Sequence, residues 1–112
     1  MPGRSTASAL ALVLVALPAL AEPPVEPSAE RQRELVHLLR HDCGSCHGLT
    51  LKGGLGPALL PTDLEDRPAE GLVQSILDGV PGRPMPPWRG LLPEHEIVWL
   101  VAQLQQGIDD AP

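Results

Sequence analysis

Phenylalanine and tyrosine are absent from the 112 residues, which leaves Trp88 and Trp99 as the only large aromatic side chains. Aromatic residues normally supply much of the bulk of a core, so their scarcity points to a centre filled partly by something other than side chains. Cysteine is nearly as rare: two residues, Cys43 and Cys46, exclude a disulfide-dense scaffold as the means of stabilising a small chain. Cations are few, with eight Lys and Arg against 14 Asp and Glu and a formal charge of −6. That balance disfavours nucleic acid and anionic lipid as partners. No stretch alternates polar and apolar residues with period two, which argues against a sheet. The one long apolar run, Ala9 to Leu17, is shorter than the roughly 20 residues that cross a bilayer.

That run follows Arg4 and breaks at Pro18, and Ala19-Leu20-Ala21 supplies the small residues a signal peptidase needs. The sequence therefore reads as a signal peptide over 1–21, cleaved after Ala21, a flexible proline-rich tether over 22–28, one domain over 29–108 and a short tail over 109–112. Loss of Arg4 takes the formal charge to −7. The expectation is an exported monomer with no stable membrane insertion after cleavage.

Within the domain, Ser28 is placed to cap a helix in which Leu35, Leu38 and Leu39 share one face. If that helix continues, Cys43, Cys46 and His47 fall at i, i+3, i+4 and point the same way. Gly48, Gly53, Gly54, Gly56 and Pro57 predict a loop passing close to something bulky. Thr62 and Glu65 have capping-box spacing for a short helical turn. Pro68 opens a second helix with Leu72, Val73, Ile76 and Leu77 on its apolar face and Gly79 as its stop. Four of the chain's 14 prolines then fall between Pro81 and Trp88, where neither helix nor central strand is possible. Pro93, Glu94 and Glu96 suit the start of a last helix whose stripe is Ile97, Leu100, Val101 and Leu104 and which ends at Gly107. The fold class is all-α, with three main helices and long loops, an arrangement that makes sense where the loops pack on a cofactor.

"CGSCH" names that cofactor. A c-type haem is held by thioethers from two cysteines, with an adjacent imidazole on the iron, and the helical offset puts all three groups on one side of a flat ring. Its rivals fit less well. A thioredoxin-like CxxC follows a strand, and none is predicted here. Structural zinc needs a fourth ligand, for which His95 is available. A disulfide across so short a loop is strained and restrains little.

For the second axial position the candidates are Met85, His37, His41 and His95. Met85 lies 38 residues after His47 in the proline-stiffened loop, and the three histidines read as surface residues. His47 and Met85 are the ligands chosen. Saturated iron leaves no open position, and no nucleophile or base pair argues for an enzyme, so the work implied is outer-sphere transfer of single electrons. Pro57 is placed to offer its carbonyl to the other imidazole nitrogen. Trp88, with Arg83 and Arg89, is a candidate contact for the haem propionates, against loop packing and solvated charge as the plainer readings. Trp99 is a candidate for the space between the first and last helices.

These residues resemble the class I cytochrome c family. Within it, "DCGSCHGLTLKGGLGPAL" and "ILDGVPGRPMPPWRGLL" are similar to the cytochrome c-55X proteins, over nearly all of Glu34 to Gly107. The resemblance implies a class I cytochrome c fold wrapped around one covalent haem c, held by Cys43 and Cys46 with His47 and Met85 on the iron. It implies a small periplasmic carrier in denitrifying bacteria, with cytochrome cd1 nitrite reductase or haem d1 assembly proteins as the redox partner. A ligand-binding haem protein in which Met85 is displaced is the alternative from another class. The first helix departs from the wider family in having no aromatic residue, which leaves the usual aromatic contact between the terminal helices unprovided for.

Overall fold

The computed structural model describes residues 2–3, 8–19 and 25–108. The expected cleavage position at Ala21 and the tail at 109–112 lie outside the described residues. Residues 8–19 have no regular secondary structure, and among the described residues no helix is long and apolar enough to cross a membrane.

The folded part consists of α1 (Ala29–Leu38), a π-helical turn (Leu39–Cys43), α2 (Gly44–His47), α3 (Pro61–Leu64), α4 (Ala69–Asp78) and α5 (Glu94–Gln106), with no strand among the described residues. Ser28 Oγ accepts from the Arg31 amide at 3.2 Å and seals the start of α1. Pro27, in the expected tether, is buried, and its carbonyl accepts from Gln32 Nε2 at 2.9 Å. The chain passes from α1 through the π-helical turn into α2 without a break, the Gly44 amide donating to the Leu39 carbonyl five residues back. The expected run of helix into the cysteines is present, with one residue more in its last full turn than an α-helix holds.

α3 opens earlier than its sequence signal. Leu60 caps it, with Asp63 Oδ2 accepting from the Leu60 amide at 3.0 Å, so Asp63 takes the place expected of Glu65 and Leu60 that of Thr62. Pro61 at the first helical position explains the shift, because its missing N–H costs nothing there. α4 follows Pro68, buries Val73 and Leu77 and stops at Gly79, whose φ is 72°. α5 follows Pro93, buries Ile97, Leu100, Val101 and Leu104 and ends at Gly107.

One cluster gathers Leu35, Leu39, Leu51, Leu64, Val73, Leu77 and Leu92 with the four residues of the α5 stripe, and every member is aliphatic. Full burial of such a side chain is worth about 2 kcal/mol. α1 and α5 are in contact, and Leu35 of α1, Leu39 of the π-helical turn and Ile97 and Val101 of α5 are all fully buried in the cluster. An ion pair between Arg31 and Glu96 joins the same two helices. Trp99 is half-buried and packs against the cluster.

Candidate haem-binding site

Cys43, Cys46 and His47 occupy the end of the helical run that begins at Ala29, and all three are half-buried. Their spacing puts two sulfurs and an imidazole on one face of the last turn. As a free thiol Cys43 is pushed up to about 11, mainly by burial and then by the charge of Asp42, so it is neutral at pH 7.

The loop that follows turns back under the histidine. The Gly53 amide donates to the His47 carbonyl and the Gly56 amide to the Cys46 carbonyl, each at 2.8 Å. This return brings the Pro57 carbonyl oxygen to 2.7 Å from His47 Nδ1. A carbonyl can only accept, so Nδ1 carries the hydrogen and Nε2 keeps a lone pair for a metal. Gly56 permits the approach, since a Cβ there would stand 2.9 Å from both Nδ1 and Cε1 of His47. Leu51 holds a left-handed backbone, φ 58°, inside the same loop. Burial of its side chain and backbone bonds at 2.9 Å to Gly48 and Leu59 keep it there.

Met85 is half-buried in the loop between Gly79 and Trp88. Its carbonyl accepts from the Val80 amide at 3.3 Å. Gly79 admits that carbonyl, because a Cβ at Gly79 would lie 2.7 Å from it. The far end of the loop is tied to α4, with the Trp88 amide donating to the Ile76 and Leu77 carbonyls at 2.9 and 3.1 Å. Arg89 Nε and Nη2 both donate to Asp78 Oδ1, at 2.9 and 2.7 Å, so an ion pair closes the neck of the loop. Arg89, read from sequence as a solvated charge or a propionate contact, is engaged with Asp78 at the end of α4. Trp88 is half-buried and packs on the core, while Arg83, His37, His41 and His95 are exposed.

Two thiols and a lone-pair imidazole nitrogen at one helix end, a thioether in a tethered loop and a glycine shaved to fit the imidazole are a donor set that fits haem c. Two half-open hollows, of about 330 Å³ beside Leu49, Leu59 and Ile108 and about 310 Å³ between α4 and α5, are not lined by any of these four residues. Sequence reasoning missed the Asp78–Arg89 closure, although opposite charges at the two ends of a proline loop are a usable signal. It also missed the closeness of Gly56 to the imidazole, which no spacing rule gives.

The family described as cytochrome c oxidase, cbb3-type, subunit III matches residues 30–104. Over 100 residues the chain is 55% identical to cytochrome c55X of Pseudomonas aeruginosa, covering 88% of this chain and 82% of that one. The solved structure of the c-type cytochrome NirC is 56% identical with a TM-score of 0.72, and the match covers 77% of this chain and all of that one. The dihydro-heme d1 dehydrogenase of the same organism is 37% identical over 99 residues, which is 18% of its length. On its helical fold, its CxxCH helix end and this similarity along most of its length, the chain belongs to the cytochrome c55X family of c-type cytochromes.

Proposed function

We propose that this protein is a periplasmic monohaem carrier that passes single electrons to cytochrome cd1 nitrite reductase in denitrification. Cys43 and Cys46 are its thioether attachments, and His47 Nε2 and the Met85 sulfur are its iron ligands. The observation that carries the reading is the 2.7 Å contact between His47 Nδ1 and the Pro57 carbonyl, which presents the opposite nitrogen as a fixed donor at the helix end that bears both cysteines. When bound, the haem supplies a one-electron iron(III)/iron(II) couple.

The residues of the chain set the terms of that couple. Pro57 orients the imidazole and makes it a stronger donor. Met85, a soft thioether, favours the reduced metal and raises the potential. With His47 and Met85 both holding the iron, no position would be left for a substrate, and the electron would cross to a partner without bond making. The leader over 1–21 accounts for delivery to the compartment where haem c is attached.

Stopped-flow mixing of the reduced protein with cytochrome cd1 and nitrite tests the reading. Reoxidation at the rate of enzyme turnover is expected. Failure to reoxidise, under conditions in which an artificial donor sustains nitrite reduction, counts against it. The likeness to dihydro-heme d1 dehydrogenase supports a second reading, an electron acceptor in the formation of haem d1. Reduction of the oxidised protein by that dehydrogenase acting on its dihydro-haem substrate favours the second reading over the first.

A further inference from the structure

His37 and His41 stand four residues apart on the helical run that ends in the CxxCH motif, outside the candidate haem site, and both are exposed. Their ring centroids are 4.2 Å apart, with the planes tilted by 43°. Two histidines at this spacing on one helix face make a recognised metal-holding pair. In an uninterrupted α-helix such positions are offset around the axis by about 40°. The π-helical turn that starts at Leu39 includes His41 and winds less per residue, which reduces that offset and brings the second ring against the first at a tilt.

Imidazole suits zinc, nickel and copper, and among divalent first-row ions copper binds a given nitrogen site most tightly, in a square arrangement that two nitrogens and water complete. Among the described residues no group of three or more histidine, cysteine or acidic side chains is placed to hold a metal, so the site takes two protein ligands and leaves the remaining positions to solvent. The acidic chain as a whole favours the approach of a dication. We propose that His37 and His41 form a surface chelate for a copper(II) ion, two imidazole nitrogens from one helix with water completing the coordination.

Titration of the haem-loaded protein with copper(II) chloride in a non-coordinating buffer, followed by calorimetry and electron paramagnetic resonance, tests the proposal. One ion per chain is expected, with a spectrum showing two equivalent nitrogens. His37→Gln and His41→Gln each weaken binding by roughly 100-fold, because the second nitrogen no longer binds intramolecularly. His95→Gln, which removes a lone exposed histidine, leaves the affinity unchanged. A double variant, His41→Gln with Asp42→His, keeps the histidine count but moves the second ring off the face, and it loses the site as the single variants do. An unchanged haem absorption spectrum shows that each variant is folded. Equal affinity in the wild type and His37→Gln, an equal loss in His95→Gln, or retention by the shifted pair overturns the proposal. None of these outcomes depends on which protein receives the electron.

Discussion

Arg31 on α1 grips Glu96 on α5 through two parallel hydrogen bonds, Nε to Oε1 at 2.8 Å and Nη2 to Oε2 at 2.9 Å. A further bond at 2.7 Å from Arg31 Nη1 to Glu34 steadies the guanidinium on its own helix. Glu96 is only 7% exposed, and a buried carboxylate is tolerable because both its oxygens are paired in a planar fork. The terminal helices, which lack an aromatic pair, are thus joined by this fork lying beside Leu35 and Ile97.

Acid should loosen this joint. The Arg31 hydrogen bonds hold the Glu96 carboxyl below its ordinary value of 4.5, against the opposing effect of burial. A carboxyl whose pKa is depressed in the folded state contributes stability that is fully present above its unfolded value and is lost as pH falls through the folded one. Chemical denaturation of the holoprotein between about pH 3 and pH 7 is expected to show stability declining below the ordinary carboxylate range, with a shallower decline in Glu96→Gln. Parallel profiles for the two proteins would show that the pair does not contribute to acid lability.

The Asp78–Arg89 pair makes a different prediction, because both side chains are more than half exposed, at 54% and 56%. Exposed pairs contribute about 0–1 kcal/mol to global stability, so Arg89→Ala should barely move the melting temperature. Its effect belongs to the loop, whose two ends it joins across the ten residues from Gly79 to Trp88. The reduced Arg89→Ala protein is expected to bind carbon monoxide faster than the wild type, and the oxidised protein to lose at lower pH the weak far-red absorption that a Met85 sulfur on ferric iron would give. Unchanged carbon monoxide kinetics would show that the neck of the loop does not hold Met85.

Gly56→Ala tests the contact on the other side. The added methyl would stand 2.9 Å from the imidazole, closer than packing allows, and the ring must tilt away from the Pro57 carbonyl. An imidazole that loses this bond is a weaker donor, which favours the reduced metal. The reduction potential of Gly56→Ala is therefore expected to rise, with a changed shift for the His47 ring proton in the nuclear magnetic resonance spectrum. A potential that stays put or falls would place the control of the imidazole elsewhere.

The parts of this structure that sequence foretells are those set by short-range periodicity and fixed chemistry. The stripe Ile97, Leu100, Val101, Leu104 is buried as its spacing requires, and CxxCH fixes its own geometry wherever a helix carries it. The Pro57 carbonyl was also legible, because a glycine-rich loop ten residues long has few ways to return to the helix end. Arg31 and Glu96 are 65 residues apart, and no local pattern links them. Glu96 has an adequate local explanation as an acid in the first turn of α5, which hides its tertiary role. The π-helical turn is invisible for a similar reason: it inserts no distinctive residue, and only packing decides where the extra one is accommodated. At α3 two capping signals competed, and the one with proline at the first helical position prevailed.

The all-aliphatic core bears on what the chain is without its haem. Leu35, Leu39, Leu77, Ile97 and Val101 are fully buried, yet the long loops from Gly48 to Leu60 and from Gly79 to Pro93 bury only Leu51 and Leu92 in the hydrophobic cluster, with Leu59, Leu60 and Trp88 packed part-buried against it. Ordering each loop residue costs about 1–2 kcal/mol of backbone entropy, and these two loops return little apolar burial against that cost. In the proposed holoprotein, contacts to the haem and closure of the loops by His47 and Met85 offset it. A Cys43→Ala, Cys46→Ala protein, purified without haem, is therefore expected to retain some helix by circular dichroism while showing no cooperative thermal transition and rapid proteolysis within both loops. A sharp melt and protected loops would mean that the aliphatic cluster suffices by itself, and that the haem occupies a domain already formed.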